Sequence, residues 1–376
     1  MRALLSLALL LGVATPAHTQ EAGPRVVSLG ASFGCGLGAA GDVRCWGTNR
    51  DGQCGGTGDV VATPRRVEGL DGARAIATGY AHACALRVDG TVWCWGDNGY
   101  GQLGEEGPEE RGTPAPVPGL ANIEEIALGG FFSCARRSDG AVLCWGSDSS
   151  GIFGRGRAGD ARATPGPVPG IRGAERLWAG RGYGCARDAR GRVRCWGSSS
   201  QGQAGTRRRV RHARATTFRG LGPEDELVLA EGFGCARRAS GALRCWGSNL
   251  LTVGGNGDVA FHPAPVPETR LTDVRSFAAI KEEACAVSGG QVLCWGVNRR
   301  QQLHVPTPER GGIVLVPTAV PGVRDATEVV MGYQAQCLRR SDGSWACWGW
   351  NRGSFYGAVG VGSTASQVET PTRLPW

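Results

Sequence analysis

One tripeptide, Cys-Trp-Gly, recurs seven times in this chain, with its indole at Trp46, Trp95, Trp145, Trp196, Trp246, Trp295 and Trp348. The copies stand 49 to 53 residues apart. Each is preceded by a second cysteine, which pairs Cys35 with Cys45, Cys84 with Cys94, Cys134 with Cys144 and Cys185 with Cys195. The same spacing pairs Cys235 with Cys245, Cys285 with Cys294 and Cys337 with Cys347. Length alone would allow two or three separate domains. A period of about fifty overrides that and points to one array of like units.

The second unit is the clearest template. Residues 73–79 read as a strand, 84–87 as a second, and 91–95 as a third, with Val88-Asp89-Gly90 turning the chain between the last two. Residues 96–104 form a glycine-rich loop, and 113–119, marked by three prolines, form a short fourth strand. Proline withholds a ladder donor, so this last strand belongs at a sheet edge. Four antiparallel strands in about fifty residues make one propeller blade. The expected fold is all-β, a seven-bladed propeller of four-stranded antiparallel blades.

The cysteine spacing tests this reading. Six pairs are ten apart, which leaves a three-residue turn ending in glycine, as in Val88-Asp89-Gly90 and Ser138-Asp139-Gly140. The pair Cys285 and Cys294 is one residue shorter, and there the turn is Gly289-Gly290, a dipeptide suited to a two-residue primed turn. The deletion falls in the turn, so every pair stays opposite across its hairpin, about 4.5–5.5 Å apart at Cα and within reach of a disulfide. Seven intra-blade disulfides are expected. Two cysteines per unit with no recurring histidine do not make a zinc tetrad, so neither metal nor cofactor is expected.

Cysteine and tryptophan are neighbours on a strand and point to opposite faces. In a propeller both faces meet adjacent blades, so the seven indoles read as inter-blade core. The fifteenth cysteine, Cys54, occupies an offset held elsewhere by Leu103, Phe153, Ala204, Gly254, Leu303 and Tyr356. It reads as a small buried hydrophobe with a free thiol.

The N-terminus carries a targeting signal. Arg2 precedes an apolar run from Ala3 to Val13, followed by small residues at Ala14, Thr15 and Ala17. Residues 1–19 read as a secretory signal peptide, too short to span a bilayer, and 20–376 as a single propeller domain. A secreted or periplasmic location suits fifteen cysteines. Lys+Arg exceeds Asp+Glu by eight, nearly all of it arginine, which favours anionic partners without naming one.

The recurring Cys-Ala-(x)4-Gly-x-Val-x-Cys-Trp-Gly, followed by Asn-x-x-Gly-Gln-Leu-Gly at Asn98 to Gly104, resembles the regulator-of-chromosome-condensation repeat. Seven such repeats would span residues ~25–376. The resemblance implies a closed seven-bladed propeller. Founding members of that family act on a nuclear GTPase, a partner an exported protein cannot meet. Nearer in location are exported bacterial propellers similar to β-lactamase inhibitory protein II, which bind another protein through one face. The paired cysteines are an addition to the general repeat.

In an up-and-down blade the first and third connections share one face. The first carries Phe33, Tyr80, Phe131, Phe132, Tyr183, Phe233 and Tyr333, with only the sixth unit (Lys281-Glu282-Glu283) lacking a ring. Two readings stand for these aromatics: a protein-binding hot spot, or plugs for the blade tops. The third connection of the fourth unit adds Arg207, Arg208, Arg209 and Arg211, which would either grip an acidic partner or stand solvated. The fifth and sixth units depart most from the repeat, with Ala230 and Ile280 replacing a strand-end glycine and Gln301 and His304 replacing loop glycines.

Catalysis finds little to stand on. The histidines are scattered, and no nucleophile elbow, metal-binding helix or phosphate loop is present. The expected function is an exported, monomeric, non-enzymatic scaffold that binds a protein, an acidic one where the arginines take part, with no nucleic acid and no membrane span. A lectin for glycan or cell-wall polymer is the alternative, and a hydrolase at the propeller axis a more distant one.

Overall fold

Each repeat folds as a four-stranded antiparallel sheet whose strands follow one another in chain order. In blade 1 these are Val26–Leu29, Phe33–Leu37, Val43–Thr48 and Val60–Arg66, running from the propeller axis outward, and six more such sheets complete the ring. The computed structural model describes residues 23–206, 210–248, 262–267, 271, 273–307, 312–351 and 357–376. The leader read in residues 1–19 lies outside them. Among the described residues there is no α-helix, and no helix long and apolar enough to cross a membrane.

Seven disulfides join the seven hairpins as the spacing predicts, one per blade. In blades 1 to 4 Cys35 is bonded to Cys45, Cys84 to Cys94, Cys134 to Cys144 and Cys185 to Cys195. In blades 5 to 7 Cys235 is bonded to Cys245, Cys285 to Cys294 and Cys337 to Cys347. Their Cα–Cα separations are 4.0 to 4.1 Å, slightly closer than the 4.5–5.5 Å expected of opposed strand residues. The turn chemistry follows the loop length. Gly90 closes a three-residue turn with φ +79°, while Gly289 and Gly290 are both left-handed, at +56° and +79°, in the shortened turn of blade 6. Only glycine enters that region without steric cost.

The glycine of Cys-Trp-Gly has a sharper duty. At each tryptophan the pairing of third and fourth strands slips, by two residues in blade 2, where Cys94 faces Ala115 and Gly96 faces Arg111. The following glycine takes a φ near +100°, and a Cβ at Gly96 would lie 2.4 Å from the Ala81 carbonyl oxygen. Strand alternation turns the indole, opposite the disulfide, toward the neighbouring blade. All seven tryptophans are buried there. Among the described residues, three seams also carry an indole hydrogen bond to the preceding blade: Trp95 Nε1 donates to Gln53 O, Trp145 Nε1 to Gln102 O and Trp246 Nε1 to Gln203 O, each at 2.9 Å.

The core therefore lies in the seams. Trp95 of blade 2 packs with Cys35, Cys45 and Val67 of blade 1, while the Cys84–Cys94 bridge of blade 2 packs against Trp145 of blade 3. The ring closes the same way, with Val27 and Trp46 of blade 1 joining the apolar cluster of blades 5 to 7. No strand is exchanged at the closure. Instead Trp345 Nε1 donates to Pro24 O at 2.7 Å, and Trp376 packs over Gly36 with the Arg44 guanidinium 4.9 Å from its ring.

Candidate functional site

The aromatics expected to form one ring fall into two. Phe33, Phe132, Tyr183 and Phe233 stand two residues before the leading cysteine, and all four are buried, with the Tyr183 hydroxyl donating to Phe233 O at 2.6 Å. They are packing residues that fill the blade tops, so the exposed ring loses these four members. His82 and Glu283 hold the same offset in blades 2 and 6. His82 is wholly buried with Nε2 3.0 Å from Ser133 Oγ, and burial drives its imidazole down to about 3.

Four residues before the cysteine stands a second set, around the axis: Ala31, Tyr80, Gly130, Arg181, Glu231, Lys281 and Tyr333. In blades 1 to 4 and 7 the backbones here meet directly. Ala31 N donates to Tyr80 O at 3.1 Å, Tyr80 N to Gly130 O at 3.0 Å, Gly130 N to Arg181 O at 3.1 Å and Tyr333 N to Gly30 O at 3.4 Å. The preceding glycine permits this approach. A Cβ on Gly79 would lie 2.7 Å from Gly129 O. Ala230 and Ile280 hold that place in blades 5 and 6, where blade-to-blade bonds of this kind are absent among the described residues.

Of this inner set, Tyr80, Arg181, Glu231 and Tyr333 form a polar collar on an axial cavity of about 180 Å³ that Leu29, Leu128, Leu229, Ile280 and Met331 also line. Tyr80 OH donates to Tyr333 OH at 2.6 Å, and Tyr333 OH to Glu231 Oε2 at 3.2 Å. Glu231 also pairs with Arg181, whose guanidinium lies 5.0 Å from the Tyr80 ring centroid. Burial raises the phenols of Tyr80 and Tyr333, so both stay protonated donors at physiological pH.

From the collar the aromatic surface runs outward over the loops. Tyr333 meets Tyr80 edge-on at 4.9 Å, Tyr80 meets Phe131 edge-on at 4.9 Å, and Phe131 meets Tyr100 at 5.4 Å. Phe131 is 37% exposed and Tyr100 49%. Tyr100 comes from the third connection of blade 2, and the repeat pattern does not single it out. A signal exists, since that connection shares a face with the first, but only folding brings the two loops together.

Of the arginine cluster, Arg211 is exposed at the start of the outermost strand of blade 4, Val210–Thr217, far from the axis. Arg207, Arg208 and Arg209 lie outside the described residues. Cys54 is buried and free, its thiol set 3.4 Å from Thr48 O and pushed up by burial. Among the described residues no group of three or more His, Cys, Asp or Glu side chains is placed to hold a metal ion.

One model of the regulator of chromosome condensation (RCC1) repeat matches residues 25–53, 73–102 and 123–152, and a second matches 40–86 and 89–136. No curated protein sequence matches the chain. Among solved structures it is similar to Prp20p from Saccharomyces cerevisiae, with a TM-score of 0.77 and 25% identity over 89% of this chain and 85% of that one. It is similar in fold to human WBSCR16, with a TM-score of 0.76 and 19% identity over 89% and 93%. The receptor kinase CR4 ectodomain of Physcomitrella patens shares the fold at a TM-score of 0.53 and 20% identity over 86% and 72%. Models of the regulator-of-chromosome-condensation repeat cover residues 25–152, so the first blades of the chain carry that repeat, and the same four-stranded blade is built seven times.

Proposed function

We propose that the protein is an exported binding scaffold that holds another protein against the loop face of its propeller. The leader in residues 1–19 would deliver residues 20–376 as one domain to a secreted or periplasmic setting, which seven disulfides suit. The observation that carries the reading is the continuous run Tyr333–Tyr80–Phe131–Tyr100, half exposed and braced from below by Arg181 and Glu231. Rigid aromatics give contact area at little entropic cost, and interface energy concentrates in such anchors. Prp20p, a relative of the same fold, is described as binding Gsp1p and histones. That supports a protein-binding role and leaves the partner to this chain's own face. No catalytic group is assigned.

The test is affinity capture from the exported proteins of the source cell, comparing wild type with Phe131→Ser and Tyr100→Ser. A partner that saturates wild type and is weakened about 10- to 100-fold by each substitution supports the assignment, in line with hot-spot losses of ~1.4–2.7 kcal/mol. A partner held equally by all three places binding elsewhere, and the lack of any saturable partner removes the proposal.

A further inference from the structure

Charge is very unevenly spread around the ring. Residues 155–219 hold sixteen arginines against three acidic residues, a net charge of +13, whereas the whole chain carries +8, so the remainder is net −5. This span covers the outer part of blade 3 and nearly all of blade 4. We infer that the outer wall of blades 3 and 4 is a binding surface for a linear anionic polysaccharide, recognised by its sulfate or carboxylate groups.

The wall is continuous from one face of the propeller to the other. Arg157 lies in the loop between the third and fourth strands of blade 3, and that loop is tied to the outermost strand of blade 4 by a bridge between Arg155 and Arg214. Arg211 and Arg214 sit on that strand, and Arg219 follows its end. Arg172 and Arg190, on the connection and hairpin below, carry the charge to the tip face. The strand is eight residues long, about 26 Å of chain, which sets the minimum span.

These guanidiniums are left to an outside partner. Arg155 is neutralised by Asp148 and Arg192 by Asp188. No ion pair among the described residues reaches Arg157, Arg172, Arg190, Arg211, Arg214 or Arg219, and all six are exposed. Like charges held this close repel, and an anionic polymer relieves that repulsion while releasing its own counterions. The planar fork of arginine pairs with carboxylate and with tetrahedral oxyanions in a bidentate manner.

Composition selects the class of polyanion. Protein interfaces, though they use arginine, are depleted of other charges at their centres and are anchored by aromatic and apolar side chains. Among the described residues of this span the only exposed large hydrophobic one is Val210; the rings of Tyr183, Trp196 and Phe218 are buried, and Trp178, on the innermost strand of blade 4, is half-buried with the Arg176 and Arg187 guanidiniums against its ring. The same lack of exposed rings removes the stacking platform that single-stranded nucleic acid uses. The disulfides suit an oxidising setting, so the polyanion is sought among polymers met outside the cytosol, of which anionic polysaccharides are one class.

The probe is heparin, with duplex DNA of matched charge and neutral dextran beside it, tested on the full chain at about 50 and about 200 mM salt. Four contacted charges predict heparin affinity falling on the order of 100-fold over that range. The variant Arg157→Ser, Arg211→Ser, Arg214→Ser alters only exposed side chains outside the run Tyr333–Tyr80–Phe131–Tyr100, so the fold and that aromatic run stay intact. It should lower affinity at least tenfold at the lower salt and flatten the salt slope by two to three charges. A control, Arg66→Ser with Arg275→Ser on blades 1 and 6, should change neither. Failure to bind heparin, an equal loss in the control, or DNA binding as tight as heparin would each overturn the assignment. None of these outcomes bears on the aromatic face, which the captured protein tests separately.

Discussion

Glu283 is a carboxylic acid in a place where blades 1, 3, 4 and 5 put an aromatic ring. Its carboxyl is the buried part of a partly exposed residue: Oε1 accepts from Gln302 Nε2 at 2.8 Å, and Oε2 has no protein partner. Gln336, in the place that Ser133 fills opposite His82, likewise keeps both amide atoms buried and unpartnered. Burial raises the Glu283 carboxyl to about 7, with Glu282 adding to the effect and the Gln302 bond, Lys281 and Arg300 opposing it. The folded state therefore holds a proton that the unfolded chain, titrating near 4.5, releases earlier. Stability from this group is fully present below pH 4.5 and lost as pH rises through 7, on the order of 3 kcal/mol by pH 8. In melts at pH 5 and 8, Glu283→Gln should lose less Tm than wild type between the two values. Parallel losses would mean the carboxyl is ionised throughout. At this scale the sequence was only partly readable. It marked the sixth unit as the one without a ring, yet it pooled Tyr80 and Tyr333, four residues before the cysteine, with Phe33 and Phe233, two before it, and nothing in those offsets says which set meets at the axis and which fills the interior. That distinction rests on a contact between residues 253 apart in the chain.

At the scale of the hairpin, spacing carried most of the information. Ten residues between Cys134 and Cys144, or nine between Cys285 and Cys294, dictated a three- or two-residue turn, and the left-handed glycines follow from that count. The bulge at each tryptophan was not readable in the same way, because it is a slip against the fourth strand, whose sequence varies from blade to blade. Removing one clamp, with Cys84→Ala and Cys94→Ala together, should lower stability by about 2–3 kcal/mol, the loop-entropy value for so short a crossing. The check is the guanidinium midpoint against wild type. An unchanged midpoint would mean that inter-blade packing alone holds the hairpin. Among the described residues, blade 6 carries three of the five non-glycine positions with positive φ, Lys281 at 48°, Gln301 at 54° and His304 at 51°. This is where the repeat diverges from its own backbone requirements.

For the molecule as a whole, each blade is built from four consecutive strands, and the described ends meet, with Pro24 and Trp376 both packed over Gly36. No blade depends on a strand from the far end of the chain. A circular permutant opened after Gly119, in the exposed connection between blades 2 and 3, with Trp376 joined to Gly23 by a short Gly/Ser linker, should fold with the same seven disulfides. Far-ultraviolet circular dichroism and the count of free thiols check it. A permutant with correct bridges that fails to give the wild-type spectrum would show that closure at blade 7 requires the native order. The clamps have one more consequence, for a molecule under tension. Each disulfide joins positions nine or ten residues apart across a gap of 4.0 to 4.1 Å at Cα, so the intervening stretch bears no load. Seven such short circuits withhold on the order of 200 Å of extended chain. Drawn out by its ends, the protein would stop lengthening well before its residue count runs out, as a string of seven closed loops.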